Sequence, residues 1–151
     1  MHKILGAIER QLCDIQGRLF ELAFGKGYDS PSFISTFMKS ETAMMLDRDY
    51  DRLQWAGEEY ILLNLEEEVG CLQKAGEVFD KEVMYWCGYL YRYWHYFTGE
   101  NSKEIYLQAD ARTMDESYLG FHTMDNAMAI EDLKELHRQR MLVKEEIREL
   151  L

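Results

Sequence analysis

The chain has 151 residues, 47% of them hydrophobic and 30% charged, and it carries a net charge of −11 at pH 7. A chain of this length buries about two thirds of the surface that it exposes when unfolded, so we expect one folded domain over residues 1–151 and no wholesale disorder. The acidic balance argues against a nucleic-acid or membrane-surface role, because like charges repel. It is explained by solubility or by attraction of a basic protein partner.

Cysteine usage and the short apolar runs predict a cytoplasmic protein. The odd set Cys13, Cys71 and Cys87 has no C-x-x-C spacing, so we expect reduced thiols. Glu9 and Arg10 interrupt the apolar stretch that a secretory signal would need. Uncharged runs reach nine residues, which is about half of a membrane span.

Residues 3–24 have the hydrophobic periodicity of an amphipathic helix. Apolar side chains recur at intervals of three and four residues, which places them on one face. They are Leu5, Ile8, Leu12, Ile15, Leu19 and Leu22. Gly25 and Gly27 follow, and glycine tolerates the left-handed backbone at which many helices end.

Turn residues and short apolar faces predict three more helices before residue 70. Ser30-Pro31 has the residue types preferred at an N-cap and at the first helical position, so a short helix is expected to begin there. A short helix at 41–46, a polar connector at 47–51 and a helix over 52–69 are expected next. Residues 70–76 are expected to form a loop.

The segment 85–97 contains eight of the chain's twenty aromatic residues. Its periodicity is ambiguous, since Trp86, Leu90 and Trp94 fit a helical stripe while every second residue over 85–93 fits a strand. We predict a helix, because the neighbouring segments offer no partner strand and an unpaired strand would leave its backbone groups without hydrogen bonds. We expect most of its rings to be used for packing.

Helix-start signals and a heptad pattern organise the last third of the chain. Thr98-Gly99 breaks the aromatic helix, and the capping-box spacings Asn101-x-x-Glu104 and Thr113-x-x-Glu116 each predict a short helix. From about residue 126, side chains recur at alternating intervals of four and three, which predicts a long amphipathic helix. They are Ala129, Leu133, Leu136, Arg140, Val143, Ile147 and Leu150. The whole pattern predicts an all-α, compact single-domain bundle of six to eight helices with long amphipathic terminal helices.

Each terminal helix carries an apolar stripe about three heptads long, and such a stripe requires a partner helix. The two helices could pack on each other or on the body of one domain, or at least one of them could form a homodimer or hold a partner protein. Arg140 mildly favours the second alternative, because a polar residue in a heptad seam can set the register of two helices.

No spacing of histidine, cysteine or glycine matches a catalytic or metal-binding motif. The histidines are too far apart for a zinc-protease helix, and none has the glutamate that a di-iron bundle places three residues earlier. They are His2, His95, His122 and His137. Gly25-Lys26-Gly27 lacks the rest of a phosphate-binding loop. We therefore expect no metal and no cofactor.

One weak catalytic constellation remains, formed by Arg92 and His95 with Glu59. Arg92 and His95 would share a helix face, as the Arg and His of helical ribonucleases do, although they are closer together here. The simpler interpretation is structural: Arg92 forms a salt link to Glu58 or Glu59, and His95 is a half-buried, hydrogen-bonded imidazole. A small helical enzyme is thus the alternative prediction.

Polar groups on the aromatic segments are the candidate binding residues. Tyrosine hydroxyls that packing does not use could hydrogen-bond at a surface, and the histidine that follows Phe121 could contact a ligand or form a structural corner at a helix end. The candidates are Tyr89, Tyr93, Tyr96, Tyr106 and His122.

The motifs that follow the aromatic run resemble a family of small helical bacterial proteins of unknown function, over residues 83–136. They are Thr98–Ser102, Glu104–Tyr106, His122-Thr123 and Ile130–Leu133. The first motif departs from the family by one inserted residue, and the family has no catalytic residues to transfer. Because its members are commonly encoded beside genes that look like ADP-ribosyltransferase toxins, the resemblance implies an antitoxin-like or accessory role.

Taken together, these features predict a non-enzymatic module that binds another protein. The basis is the lack of catalytic spacing, the heptad termini, the resemblance, and the acidic stretch 41–82 with twelve acids and four bases. The alternatives are a small helical enzyme and a homo-oligomer with a structural role. We expect no nucleic-acid and no membrane partner.

Overall fold

The computed structural model describes residues 4–151, and α-helices account for most of them. The eight helices are α1 (Ala7–Gly25), α2 (Ser30–Met38), α3 (Glu41–Asp47), α4 (Glu58–Val69), α5 (Lys81–Thr98), α6 (Ser102–Gln108), α7 (Ala111–Phe121) and α8 (Asn126–Leu150). A 3-10 helix at Arg52–Trp55 connects α3 to α4. The described residues contain no β-strand, only an isolated bridge between Tyr28 and Lys74. The predicted all-α bundle of six to eight helices is confirmed.

Two glycines allow α1 and α5 to pack closely. A Cβ atom built on Gly88 would lie 2.5 Å from the carbonyl oxygen of Gln16, and one built on Gly17 would lie 2.6 Å from the ring of Tyr85. Real Cβ contacts are not this short, so a side chain at Gly88 would displace the backbone of α1, and one at Gly17 would displace the ring of Tyr85. The helices are antiparallel, because the start of α1 and the end of α5 line one cleft while their other ends line a second.

The aromatic segment forms α5, and its rings fill the core. Tyr91 and Trp94 are fully buried, and the hydroxyl of Tyr91 donates to the carbonyl oxygen of Ala109 at 2.7 Å. Phe20 of α1 meets Phe33 of α2 edge-on, with 5.4 Å between the ring centroids. The prediction of a helix that is largely used for packing is therefore confirmed.

The predicted N-cap of α2 is wrong by one residue. The carboxylate of Asp29 accepts the backbone N–H of Ser32 at 2.9 Å, so Asp29 is the cap and Ser30 is the first helical residue. The hydroxyl of Ser30 instead accepts the N–H of Phe79 at 2.9 Å, which ties the loop before α5 to the start of α2. Asp29 and Ser30 are both residue types preferred at an N-cap, and the contact of Ser30 with Phe79 leaves Asp29 as the cap.

The predicted helix over 52–69 is divided in the structure. Asp51 accepts the N–H of Leu53 at 2.9 Å and starts the 3-10 helix. Gly57 then has φ = +82°, a left-handed value that neither helix can continue, so α4 begins at Glu58.

One of the two predicted capping boxes is confirmed. Asn101 accepts the N–H of Glu104, and the Glu104 carboxylate accepts the N–H of Asn101. The box predicted at Thr113 is wrong, because Asp110 accepts the N–H of Thr113 at 2.9 Å and α7 begins earlier.

Two features of the N-terminal prediction lie outside the described residues. They are Lys3, where the first helix was expected to begin, and His2. Within residues 4–151 no helix is long and apolar enough to cross a membrane.

Candidate functional site

Arg92 lies at the centre of a buried polar network that joins four helices. Its side chain is 2% exposed, and its guanidinium donates to Asp47 at 2.6 Å, to Gln16 at 2.8 Å and to Ser102 at 3.4 Å. Gln16 in turn donates to the carbonyl oxygen of Gly88 at 2.9 Å. A buried charge requires a counter-ion and acceptors for its N–H groups, so this network holds α1, α3, α5 and α6 in place.

The predicted salt link of Arg92 to Glu58 or Glu59 is wrong. The counter-ion is Asp47, whose second oxygen accepts the backbone N–H of Ser102 at 2.9 Å. Glu59 lies on the first turn of α4 and is exposed. The sequence indicated that a buried arginine needs an acid, but it did not indicate which of 28 acids that is.

His95 lines a cleft of about 390 Å³, which we call the His95 cleft. Its Nδ1 donates to the carbonyl oxygen of Glu100 at 2.7 Å and lies 3.8 Å from the carboxylate of Asp47. Burial and the neighbouring Arg92 guanidinium lower the pKa of His95, so the imidazole is neutral at pH 7. The half-buried, hydrogen-bonded imidazole predicted from the sequence is therefore confirmed.

The weak catalytic candidates do not converge in the His95 cleft. Tyr96 and the acidic residues Glu9, Asp47 and Asp49 line it, but Arg92 and Glu59 do not. A neutral imidazole beside carboxylates could accept a proton from a ligand. The guanidinium is buried, and each of its three nitrogens donates a hydrogen bond within the protein, so it does not face a ligand in this cleft.

The cysteines are poorly suited to nucleophilic chemistry. Cys13 and Cys87 are buried, and burial raises the pKa of the Cys13 thiol to about 12 and that of Cys87 well above its ordinary value. The thiolate is the reactive form, so both thiols are inert at neutral pH. Cys71 is exposed.

A second concave surface, the aromatic groove, has a volume of about 360 Å³ and lies between the end of α1, the start of α5 and the end of α7. The rings of Tyr118 and His122 stack with centroids 4.2 Å apart, and Trp86 meets Tyr118 edge-on at 5.7 Å. The rings that line the groove are Tyr85, Trp86, Tyr89, Tyr118 and His122.

Two carboxylates, Glu21 and Glu82, complete the lining of the aromatic groove. Neither has an ion-pair or hydrogen-bond partner among residues 4–151, and no lysine or arginine lines the groove. The groove therefore combines aromatic faces with uncompensated negative charge.

The five predicted binding residues lie at separate places. Tyr89 and His122 line the aromatic groove, and Tyr93 is the next ring along α5, with its centroid 6.5 Å from that of Tyr89. Tyr96 lines the His95 cleft, and Tyr106 on α6 lines neither surface. The structure thus brings two of the five together.

Sequence analysis missed most of the aromatic groove. A spacing of four residues, between Tyr85 and Tyr89 and between Tyr118 and His122, was the available signal that each pair shares a helix face. The missed residues are Glu21, Glu82, Tyr85, Trp86 and Tyr118. Nothing local indicated that the two helices would meet.

The second half of α8 is exposed. On its heptad stripe Ala129 and Leu133 are buried, whereas Val143 and Ile147 are each 53% exposed and Leu150 is 86% exposed. All residues over 138–151 are exposed. Among the described residues, the apolar stripe therefore continues from the core into a segment that no other helix covers.

Arg140 and the first terminal helix have partners inside the molecule. Arg140 donates to the hydroxyl of Thr113 at 2.8 Å, which explains a polar residue in the stripe without a second chain. On α1 the stripe residues Leu12 and Leu19 are buried and Ile8 is 56% exposed, while Leu5 is buried just before the helix begins. Of the two terminal helices, α8 is the one with a long uncovered stripe.

No group of three His, Cys, Asp or Glu residues in the described part of the chain is arranged to hold a metal ion. Comparison with protein-family models, curated proteins and solved structures finds no match. The resemblance to a toxin-associated family stays a prediction.

Proposed function

We propose that the protein is a non-enzymatic protein-binding module whose contact surface is the exposed part of α8. The observation that supports this most directly is the stripe of Val143, Ile147 and Leu150, which continues the buried stripe of Ala129 and Leu133 without a partner. Burying such a side chain contributes about 1.5–3 kcal/mol, so a stripe left in water favours association.

The partner that fits this surface is an amphipathic helix of another protein. Heptad-spaced apolar side chains match the a and d positions of a facing helix. Over residues 138–150, α8 carries four basic and three acidic residues, so this surface strongly repels neither an acidic nor a basic partner. The whole chain carries −11, so two copies repel each other while a basic partner protein is attracted.

An antitoxin-like role is the most specific form of the proposal. It is supported by the resemblance of residues 83–136 to proteins encoded beside toxin-like genes. The acidic charge supports it as well, since it would attract a basic toxin. The partner would be met in the cytoplasm, as the sequence predicts.

Matched variants of α8 test which surface makes the contact. A tagged chain captures its partner from the native host, and the purified partner is then titrated with each variant. The double variant Val143→Asp, Ile147→Asp is expected to weaken binding about a hundredfold, because it places charge in an apolar seam. Leu142→Asp is the control, since Leu142 is 55% exposed but lies off the stripe.

Three results would contradict the proposal. Equal weakening by Leu142→Asp would show that charge on α8 matters and the stripe does not. A wild-type homodimer that the double variant converts to a monomer in sedimentation would assign the surface to a second copy and favour a structural homo-oligomer. Capture of no protein under mild conditions would remove the binding role.

The enzyme alternative has less support. A ribonuclease-like site would need the guanidinium of Arg92 to reach a phosphate, but that group is buried and bonded to Asp47 and Gln16. Glu59 lies outside the His95 cleft, so the three candidates form no common pocket.

A further inference from the structure

We infer that the aromatic groove is a binding site for an organic cation, either a quaternary ammonium or a guanidinium group. The inference goes beyond the proposed function, because the groove shares no residue with the α8 stripe. It rests on the rings, the carboxylates and the size of the groove.

The rings provide faces that attract cations. An aromatic ring carries partial negative charge above its plane, and cations bind there within about 6 Å of the centroid. Trp86 stands at 82° to Tyr118, and Tyr118 is parallel to His122, so the planes of the lining rings lie in two orientations. Tyr85 and Tyr89 extend the wall along α5, with their centroids 6.0 Å apart.

Tyr85 is held in position before any ligand arrives. Its hydroxyl donates to the carboxylate of Asp14 on α1 at 2.5 Å. Burial and this hydrogen bond raise the pKa of Tyr85, so the phenol stays protonated and the bond persists at neutral pH. A ring that is already oriented loses little entropy when a ligand binds.

The carboxylates of Glu21 and Glu82 select the charge of the ligand. No lysine or arginine is found among the described residues that line the groove, so the two carboxylates repel an anion and attract a cation. Calcium and magnesium favour six or more oxygen ligands, whereas the groove offers two carboxylates among rings. Among the described residues no group of three His, Cys, Asp or Glu is arranged to hold a metal ion. An organic cation satisfies both features, since its charge meets the carboxylates while its methyl groups or planar face contact the rings.

The size of the groove suits one such group. A volume of about 360 Å³ is at the lower end of the range for small-molecule sites, which begins at roughly 300 Å³. It accommodates a trimethylammonium group or an arginine side chain, and the open groove admits a group that remains attached to a peptide.

Calorimetric titration with choline tests the inference, with 3,3-dimethylbutan-1-ol as its uncharged isostere and N-acetyl-arginine amide as the guanidinium probe. Choline and the arginine derivative are expected to saturate the protein with dissociation constants of about 1 mM. The isostere should bind at least about tenfold more weakly. Sodium chloride at matched concentration controls for ionic strength.

Variants locate the bound cation. Glu21→Gln with Glu82→Gln should weaken choline binding about fivefold, and Tyr118→Leu should weaken it also. The control is Glu67→Gln with Glu145→Gln, which makes the same change in net charge at exposed carboxylates outside the groove. Circular dichroism confirms that each variant is folded.

The outcomes separate the site from general charge effects. Equal binding of the isostere, no saturation, or equal weakening by the control pair would overturn the inference. If the cation probes bind as expected, titration with an arginine-containing pentapeptide shows whether the bound cation belongs to a protein side chain or to a small molecule. Tighter binding than the free derivative assigns the groove to a side chain of a protein, and equal binding assigns it to a small molecule.

Discussion

At the scale of single residues, Glu100 joins three helices through one carboxylate. It accepts hydrogen bonds from Trp94 at 3.0 Å, from Lys134 at 2.6 Å and from Gln108 at 2.5 Å. Burial alone would raise the pKa of Glu100, but the bonds from Lys134, Trp94 and Gln108 together lower it to about 2. The folded state therefore favours the ionised carboxylate, and α5, α6 and α8 are linked by it.

Replacement of Glu100 by Gln is expected to destabilise the protein by about 2 kcal/mol at pH 7, because the ionised partner of Lys134 is lost. The wild-type advantage is fully present above the ordinary carboxyl pKa of 4.5 and is lost as the pH falls toward 2. Urea unfolding of the wild type and of Glu100→Gln across the acid pH range measures the difference between their free energies of unfolding. The control Glu67→Gln should show no such difference from the wild type. A difference for Glu100→Gln that stays constant with pH would contradict the stabilising role of the ionised Glu100 carboxylate.

The sequence could not identify the partners of buried polar residues. Arg92 is separated from Asp47 by 45 positions and from Gln16 by 76. Helical periodicity reports only neighbours three and four residues away, so it could not identify either of these partners. His95 was described correctly as a half-buried, hydrogen-bonded imidazole, but its partner, the carbonyl oxygen of Glu100, was not identified.

At the scale of helices, the contact between α1 and α5 depends on the absence of a side chain at Gly88. Gly88→Ala is expected to destabilise the protein by about 3 kcal/mol, because the new Cβ would lie 2.5 Å from the Gln16 carbonyl oxygen, which belongs to the backbone. The helices must then separate. Thermal unfolding of the variant measures this cost.

Gly120→Ala is the matched control in α7. No atom lies within 4 Å of the position of its Cβ, so the substitution should stabilise the helix by about 0.5 kcal/mol. If the alanines at Gly88 and Gly120 had the same effect, helix propensity and not close packing would explain both.

The sequence predicted helices better than it predicted their ends. Hydrophobic periodicity identified α1 and α8, whose apolar side chains recur on one helix face. The helix α5 was identified instead because no neighbouring segment offers a partner strand. The predicted helix ends were wrong where two capping residues compete, as Asp29 and Ser30 do. They were also wrong where a glycine such as Gly57 adopts a left-handed backbone conformation inside a periodic segment. Tertiary contacts decide such cases, and a single sequence does not contain them.

At the scale of the whole molecule, the core and the uncovered surfaces occupy different parts of the chain. The core is built around α5, whereas the stripe of α8 lies beyond Leu133, the last of its buried residues. The aromatic groove unites helices whose rings lie some thirty positions apart, so the sequence found only Tyr89 and His122 of it. The heptad spacing predicted the apolar stripe of α8, but it could not predict that the second half of this stripe would be exposed.

Because residues beyond Met141 are exposed, a chain that ends there is expected to keep the fold, with a free energy of unfolding within about 0.5 kcal/mol of the full chain. The bond from Arg140 to Thr113 is retained. A chain that ends at Asp132 should lose at least about 3 kcal/mol, because it removes the buried Leu133.

Urea unfolding of the two truncated chains, together with titration of the captured partner, separates stability from binding. The chain that ends at Met141 is expected to fold normally and to lose the partner, because Val143 and Ile147 are removed. Loss of stability equal to that of the shorter chain would show that the end of α8 belongs to the core. Retained partner binding would move the contact surface away from α8, and the acidic body of the protein would then have to provide it.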